Sequence, residues 1–256
     1  MGTLIIFNCI LLALIFVGVW LCKKYVKQEK SQNILLLVSA LVTILCHYST
    51  FLYLYFTHGA SAEYLRQNPN LILPIYPCNV VMWGCLIFGL IRNKHSKAAG
   101  FWADYLFWFG IFSTLVGMFA NVDFILNPTL GDWDVTKSIL AHATLLFNVL
   151  LICVFGHIRI DLPKNMTRIT GAVILMYLIG LYCNKIFEIF TSADEAYNVN
   201  SMFILHSPFP AVPFLTYPVI AGCALVLYFL LFSVCELIAY PKAQRWYNRL
   251  KAARKN

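Results

Sequence analysis

Charged residues are scarce in this sequence. They make up 12% of its 256 residues, about half the share of a typical soluble domain. No stretch between the apolar runs is long enough for a soluble domain, which excludes the ordinary globular classes. There is no ten-residue alternation of apolar and polar residues, so a transmembrane barrel is excluded too. CxxC spacings, Cys/His clusters, a glycine-rich phosphate loop and a GxSxG turn are all missing, as is any internal repeat of the transporter kind. No metal and no cofactor is therefore expected. The nine cysteines all fall in apolar runs. None sits in a loop, where an extracytoplasmic disulfide would be expected, and most read as small apolar filler.

What the chain does have is long apolar runs, with 61% hydrophobic residues and a mean hydropathy of +0.74. Runs near the roughly 20 residues that span a bilayer recur along its length. They cover Thr3–Cys22, Asn33–Phe56, Leu71–Ile91, Phe101–Ala120, Ser138–Gly156, Ile169–Phe190 and Val212–Tyr240. Backbone in lipid must satisfy its own hydrogen bonds, so these runs predict an all-α polytopic membrane protein, a single domain of seven transmembrane helices. Of the 19 Lys and Arg, only Arg66, Lys137 and Lys185 lie off the loops at 23–32, 92–100, 157–168 and 241–256. The positive-inside rule puts those loops in the cytoplasm and the N-terminus outside. The net charge of +8 then reads as cytoplasmic anchoring, not as a nucleic-acid footprint. Residues 241–256 form a basic cytoplasmic tail, read as a solvated flank in preference to a lipid-binding segment. Met1-Gly2-Thr3 offers no basic n-region, so the first run does not look like a signal peptide.

This topology gives each polar residue a depth. Cys78 falls about 10 Å and His142 about 6–8 Å below the outer surface, at 1.5 Å per residue. His47, Tyr48, Ser49 and Thr50 share that outer half, as do Asn184, Lys185, Glu188, His206, Ser207, Thr216 and Tyr217. The inner halves are nearly pure Leu, Ile, Val and Phe, with Asp104 and Glu236 at the inner boundary. A polar cluster confined to one leaflet points to a site, whereas a pore needs polar steps through the full thickness. Pro74 and Pro77 disfavour helix just before Cys78, which would start the helix proper. Helix N-terminal partial charge there favours a thiolate. The turn-rich segment Asn121–Lys137, with Phe124, Ile125, Leu126 and Trp133, reads as a lid dipping toward the membrane.

A cysteine nucleophile needs a base or a local positive charge. His142 within reach of Cys78 would supply the base, and Asn79, Asn148 or Asn184 would orient the imidazole. Such a pair would take an acyl group from a phospholipid as a thioester and pass it to an alcohol or to water. The competing reading makes Cys78 packing and ties His142 to a neighbouring backbone carbonyl. Lys185 and Glu188, at i and i+3, read first as an interfacial ion pair and second as a dock for a lipid phosphate. His47 reads first as a helix–helix hydrogen bond. His58 and His206 read as solvated at the interface.

Leu73-Pro74-Ile75-Tyr76-Pro77-Cys78-Asn79 resembles the signature of the YwaF-type integral membrane proteins, whose eukaryotic relatives are the transmembrane protein 164 family. Gly117 to Leu130 with its Asn-Pro-Thr, Ala141-His142 and Asn200-Ser201-Met202-Phe203-Ile204-Leu205 match in order. The resemblance runs from about Leu71 to Glu236, and the first two runs match only as hydrophobic helices. It implies a polytopic lipid acyltransferase with a cysteine nucleophile and a histidine, at Cys78 and His142 here, and a membrane phospholipid as acyl donor or acceptor. Tyr76 departs from the histidine that many bacterial members carry there. A bacterial cell membrane, or an endomembrane in a eukaryote, would be the setting, with the site facing away from the cytoplasm. Two alternatives remain at this point. One is a non-enzymatic lipid-binding or transport protein with an outward polar cavity. The other is a hydrolase like the seven-helix enzymes that use a threonine, with Thr50 or Thr144 in that part.

Overall fold

The computed structural model describes residues 2–58, 69–119, 130–131, 133–209 and 211–253. These residues form helices and short 3₁₀ turns, with no strand among them. The helices are α1 (Gly2–Tyr25), α2 (Glu29–His58), α3 (Pro77–Leu90), α4 (Lys97–Phe119), α5 (Trp133–Val154), α6 (Leu162–Phe190), α7 (Ala193–Val199), α8 (Tyr217–Ala239) and α9 (Trp246–Ala253). Six of them, α1, α2, α4, α5, α6 and α8, contain stretches long and apolar enough to cross a membrane. Proline sets three helix starts. Pro77, Pro163 and Pro218 stand at the first or second position of α3, α6 and α8, where a fixed φ suits the helix and a missing N–H costs nothing.

The third apolar run is the exception to the spanning lengths. Its helix has 14 residues, about 21 Å of rise against a hydrocarbon layer of about 30 Å. Pro69–Leu71 is a 3₁₀ turn and the chain from Ile72 to Tyr76 is irregular before α3 begins. The break falls where Pro74 and Pro77 remove donors, as the sequence anticipates.

The chain divides into two compact units, Met1–Ile158 and Arg159–Asn256. In the first, α5 is the central helix and meets α1, α2, α3 and α4. Its interior includes Leu36, Val81, Leu106, Ile139, Val149 and Ile152, none more than 1% exposed. Amides tie the helices together. Asn8 Nδ2 donates to Met118 O at 2.5 Å. Asn148 Nδ2 donates to Leu36 O at 2.8 Å and Ser39 Oγ at 2.5 Å. Large apolar side chains on the outside of α1 and α2, such as Ile6, Leu14, Phe16 and Leu45, are exposed, as lipid-facing positions are. At the far end of α3, Lys94 Nζ donates to Ile91 O (2.7 Å) and Gly89 O (3.3 Å), closing the last turn. Burial pushes that ammonium below its ordinary pKa.

In the second unit α6 packs on α8 and α7. The tail does not remain a mere flank, because it folds back as α9. Glu236, fully buried on α8, accepts from Leu162 N–H (2.6 Å), Trp246 N–H (2.8 Å) and Arg249 Nη2 (2.9 Å). One carboxylate thus satisfies the first turns of two helices, where negative charge is favoured. The pairing raises the pKa of Arg249 above its ordinary value.

Candidate functional site

Cys78 occupies the second position of α3, directly after Pro77, and the residue is partly buried. A helix start leaves its first N–H groups without ordinary intrahelical partners, and here the Asn79 N–H donates to Tyr76 O at 3.1 Å. Asn79, the next residue, is buried and has two jobs. Its Oδ1 accepts the Tyr76 N–H at 3.2 Å, closing the first turn, and its Nδ2 faces His47 Nε2 on α2 at 3.5 Å. The helix–helix hydrogen bond expected of His47 is therefore present, and its partner is the residue beside the cysteine.

His142 lies on α5 with Nδ1 at 2.7 Å from Ser138 O. The carbonyl accepts, so Nδ1 carries the proton and Nε2 keeps its lone pair. The ring covers Gly117 of α4, where any Cβ would overlap it. That glycine makes room for an imidazole between two packed helices.

The helix register places Cys78 and His142 relative to each other. A Cβ at Gly110 would touch both Val149 of α5 and Val81 of α3, so these three share a level. Gly117 meets His142, seven residues earlier on α5, so α4 and α5 run antiparallel. Gly84 meets Leu106 in the same sense for α3 and α4. Cys78 then lies about 4.5 Å and His142 about 10.5 Å from the Gly110 level, on the same side. The stagger is about 6 Å along the axis, and the ring leans toward Ser138, away from Cys78. Among the described residues no hydrogen bond joins the two.

The other expected residues have clear places. Asn148 braces α5 to α2 and is not bonded to the imidazole. Thr50 is buried, and Thr144 Oγ1 is spent on Leu140 O and Ala141 O. In the second unit Asn184 grips Ser201, accepting its N–H at 2.7 Å and donating to its carbonyl at 3.3 Å. Lys185 and Glu188 form the exposed ion pair, at 2.9 Å. His206 is partly exposed and also hydrogen-bonded, with Nε2 2.9 Å from Tyr197 O and Asn200 Nδ2 reaching both Nδ1 and the His206 carbonyl. Phe124, Ile125 and Leu126 of the expected lid lie outside the described residues. Leu130 and Trp133 are inside them, Leu130 packing against Leu4, Val135 and Ile139.

Three features escape sequence reasoning. Lys137, placed above at the end of the turn-rich segment Asn121–Lys137, lies in the second turn of α5 and is buried, with its carbonyl accepting from Cys46 Sγ at 3.5 Å. Asn8, alone in an apolar run, carried a readable signal, because an intramembrane amide seeks a neighbouring backbone. Gly117 carried none, since nothing local marks which glycine faces a histidine.

These features define an integral membrane protein whose elements, among the described residues, are all helical, with a thiol at the start of a short apolar helix. The chain belongs to the TMEM164 family, whose model matches residues 2–236. The match extends the likeness through the first two helices. No curated protein and no solved structure matches the chain.

Proposed function

We propose that this protein is a membrane lipid acyltransferase, or an acyl hydrolase when water is the acceptor, with Cys78 as nucleophile. The observation that carries the reading is the place of Cys78. It sits at the first turn of a helix that starts after a proline-broken segment, where the partial positive charge of a helix start favours a thiolate. Membership of the TMEM164 family supports a membrane setting.

In the first step the Cys78 sulfur attacks a phospholipid ester carbonyl. The C–S bond forms, the ester C–O bond breaks, and the departing lyso-lipid oxygen takes the thiol proton through His142. In the second step an acceptor alcohol or water attacks the thioester, gives its proton to His142 Nε2, and releases the thiol. An acceptor or a water held between the two groups would have to bridge their axial stagger of about 6 Å. The same reading has seven crossings in one transmembrane domain, α3 with its irregular approach being the third. The N-terminus and the site are extracytoplasmic and the tail is cytoplasmic.

The test is transfer or release of a labelled acyl chain from phospholipid by the purified protein in vesicles. The reading expects loss in Cys78→Ser, Cys78→Ala and His142→Ala. Full activity in both Cys78 variants sinks it. A second reading, a non-enzymatic lipid-binding protein, draws on the missing Cys78–His142 hydrogen bond, and it expects lipid binding that is indifferent to Cys78.

A further inference from the structure

The Asn79 side chain is asymmetric, and its surroundings fix which way round it lies. Tyr76 N–H can only donate, so Oδ1 faces it and Nδ2 faces His47. Nδ2 can only donate, so His47 Nε2 must be unprotonated and the ring proton sits on Nδ1. A second contact reaches the same face of α3. Tyr48, next to His47, meets Trp83 edge-on with ring centroids 6.1 Å apart, and Asn79 and Trp83 are four residues apart on one helix side. The His47 ring in turn stands edge-on to Tyr48 at 5.0 Å. Adjacent residues of α2 therefore hold α3 at two points one turn apart. This matters because the chain from Ile72 to Tyr76 is irregular, so no continuous helix runs into the first turn of α3 to fix its rotation.

We infer that His47 and Asn79 are a positioning pair, which sets the rotation of the first turn of α3 and so the direction of the Cys78 thiol. His47 acts as a hydrogen-bond acceptor in this role and does not touch the reacting atoms. The inference rests on Cys78 being the nucleophile of the proposed reaction.

The experiment compares wild type, Asn79→Ala, His47→Ala and His47→Gln in lipid vesicles, with two readouts by site-resolved mass spectrometry. One is acyl-thioester formation on Cys78, and the other is alkylation of Cys78 by N-ethylmaleimide. Glutamine offers a carbonyl oxygen to Asn79 Nδ2, so it keeps the link without an imidazole. The alanine variants are expected to lose thioester formation about tenfold or more, the usual effect of a small misplacement. Their alkylation rises as the first turn loosens, while His47→Gln stays within about threefold of wild type in both readouts. His47→Gln behaving as His47→Ala overturns the inference, as do alanine variants equal to wild type. If the alanine variants do not fold, Asn79→Leu and His47→Leu, which keep more of the volume, replace them under the same criteria. If wild type forms no thioester, the enzyme reading fails by itself. The alkylation order, with wild type and His47→Gln together and the alanine variants apart, then decides the positioning.

Discussion

The imidazole of His142 occupies the space that a side chain on Gly117 would need. A small residue on α4 thereby sets where the ring on α5 can lie, and the bond from Nδ1 to Ser138 O holds its tautomer.

Gly117→Ala should cost about 1–3 kcal/mol, the usual price of overpacking a closed interface. The cause is specific, so His142→Ala should relieve it. In a thermal-unfolding cycle the double variant should be more stable than Gly117→Ala alone. Additive losses would mean that the glycine is needed for another reason.

Asn200, Met202 and Phe203 all have positive φ, at 46°, 56° and 58°, a region where non-glycine residues are strained. Asn184 holds this turn through both backbone groups of Ser201. Asn184→Leu should lose about 2 kcal/mol in denaturant unfolding, two hydrogen bonds' worth. Asn200→Gly should be milder than Asn200→Ala by about 1 kcal/mol, since both lose the amide and only alanine resists the left-handed backbone.

Glu236 joins the start of α6, the start of α9 and Arg249. Glu236→Ala should destabilise the second unit by about 2–4 kcal/mol, through lost charge-assisted bonds. It should also open the tail to protease. Arg249→Ala should do less, because the carboxylate keeps both backbone donors. Limited proteolysis after Trp246 distinguishes the two.

His157 is held down to a pKa of about 4 by burial, then by the positive charges of Lys94 and His95, with Glu29 opposing. Its ring lies 5.6 Å from Phe88 and 6.5 Å from His95, and His95 pairs with Glu29 at 3.6 Å. The unfolded chain takes up a proton near pH 6.5 and the folded chain near 4, so stability falls as pH drops through that window. The residue is partly exposed, so solvent screening reduces the loss to on the order of 1 kcal/mol. His157→Gln should flatten the unfolding profile between pH 4 and 6.5, and an unchanged profile would reject the assignment.

Much of the fold was legible because hydropathy and proline act locally. The start of α3 at Pro77 could be read from two prolines. Helix ends were less legible, since α6 begins at Leu162 and α5 at Trp133, where polar turns hide the helix from a hydropathy scan. The site was half legible. Cys78 and His142 stand out as an unusual thiol and an intramembrane imidazole. Their stagger depends on which glycines of α4 face α5 and α3, and no local pattern carries that. The link from His47 to Asn79 spans 32 residues, and the fold-back of the tail onto Glu236 depends on contacts that α8 and α9 make only once folded.

The central claim is that Cys78 carries the acyl group. Protein in phospholipid vesicles, quenched in acid and examined by intact-mass and peptide mass spectrometry, should show one acyl chain in thioester linkage on Cys78. Neutral hydroxylamine should remove it, and it should be absent in Cys78→Ala. In His142→Ala it should form more slowly or fail to turn over. Phospholipid processing by wild type with no acyl chain ever found on Cys78, or undiminished processing by Cys78→Ala, would contradict the account.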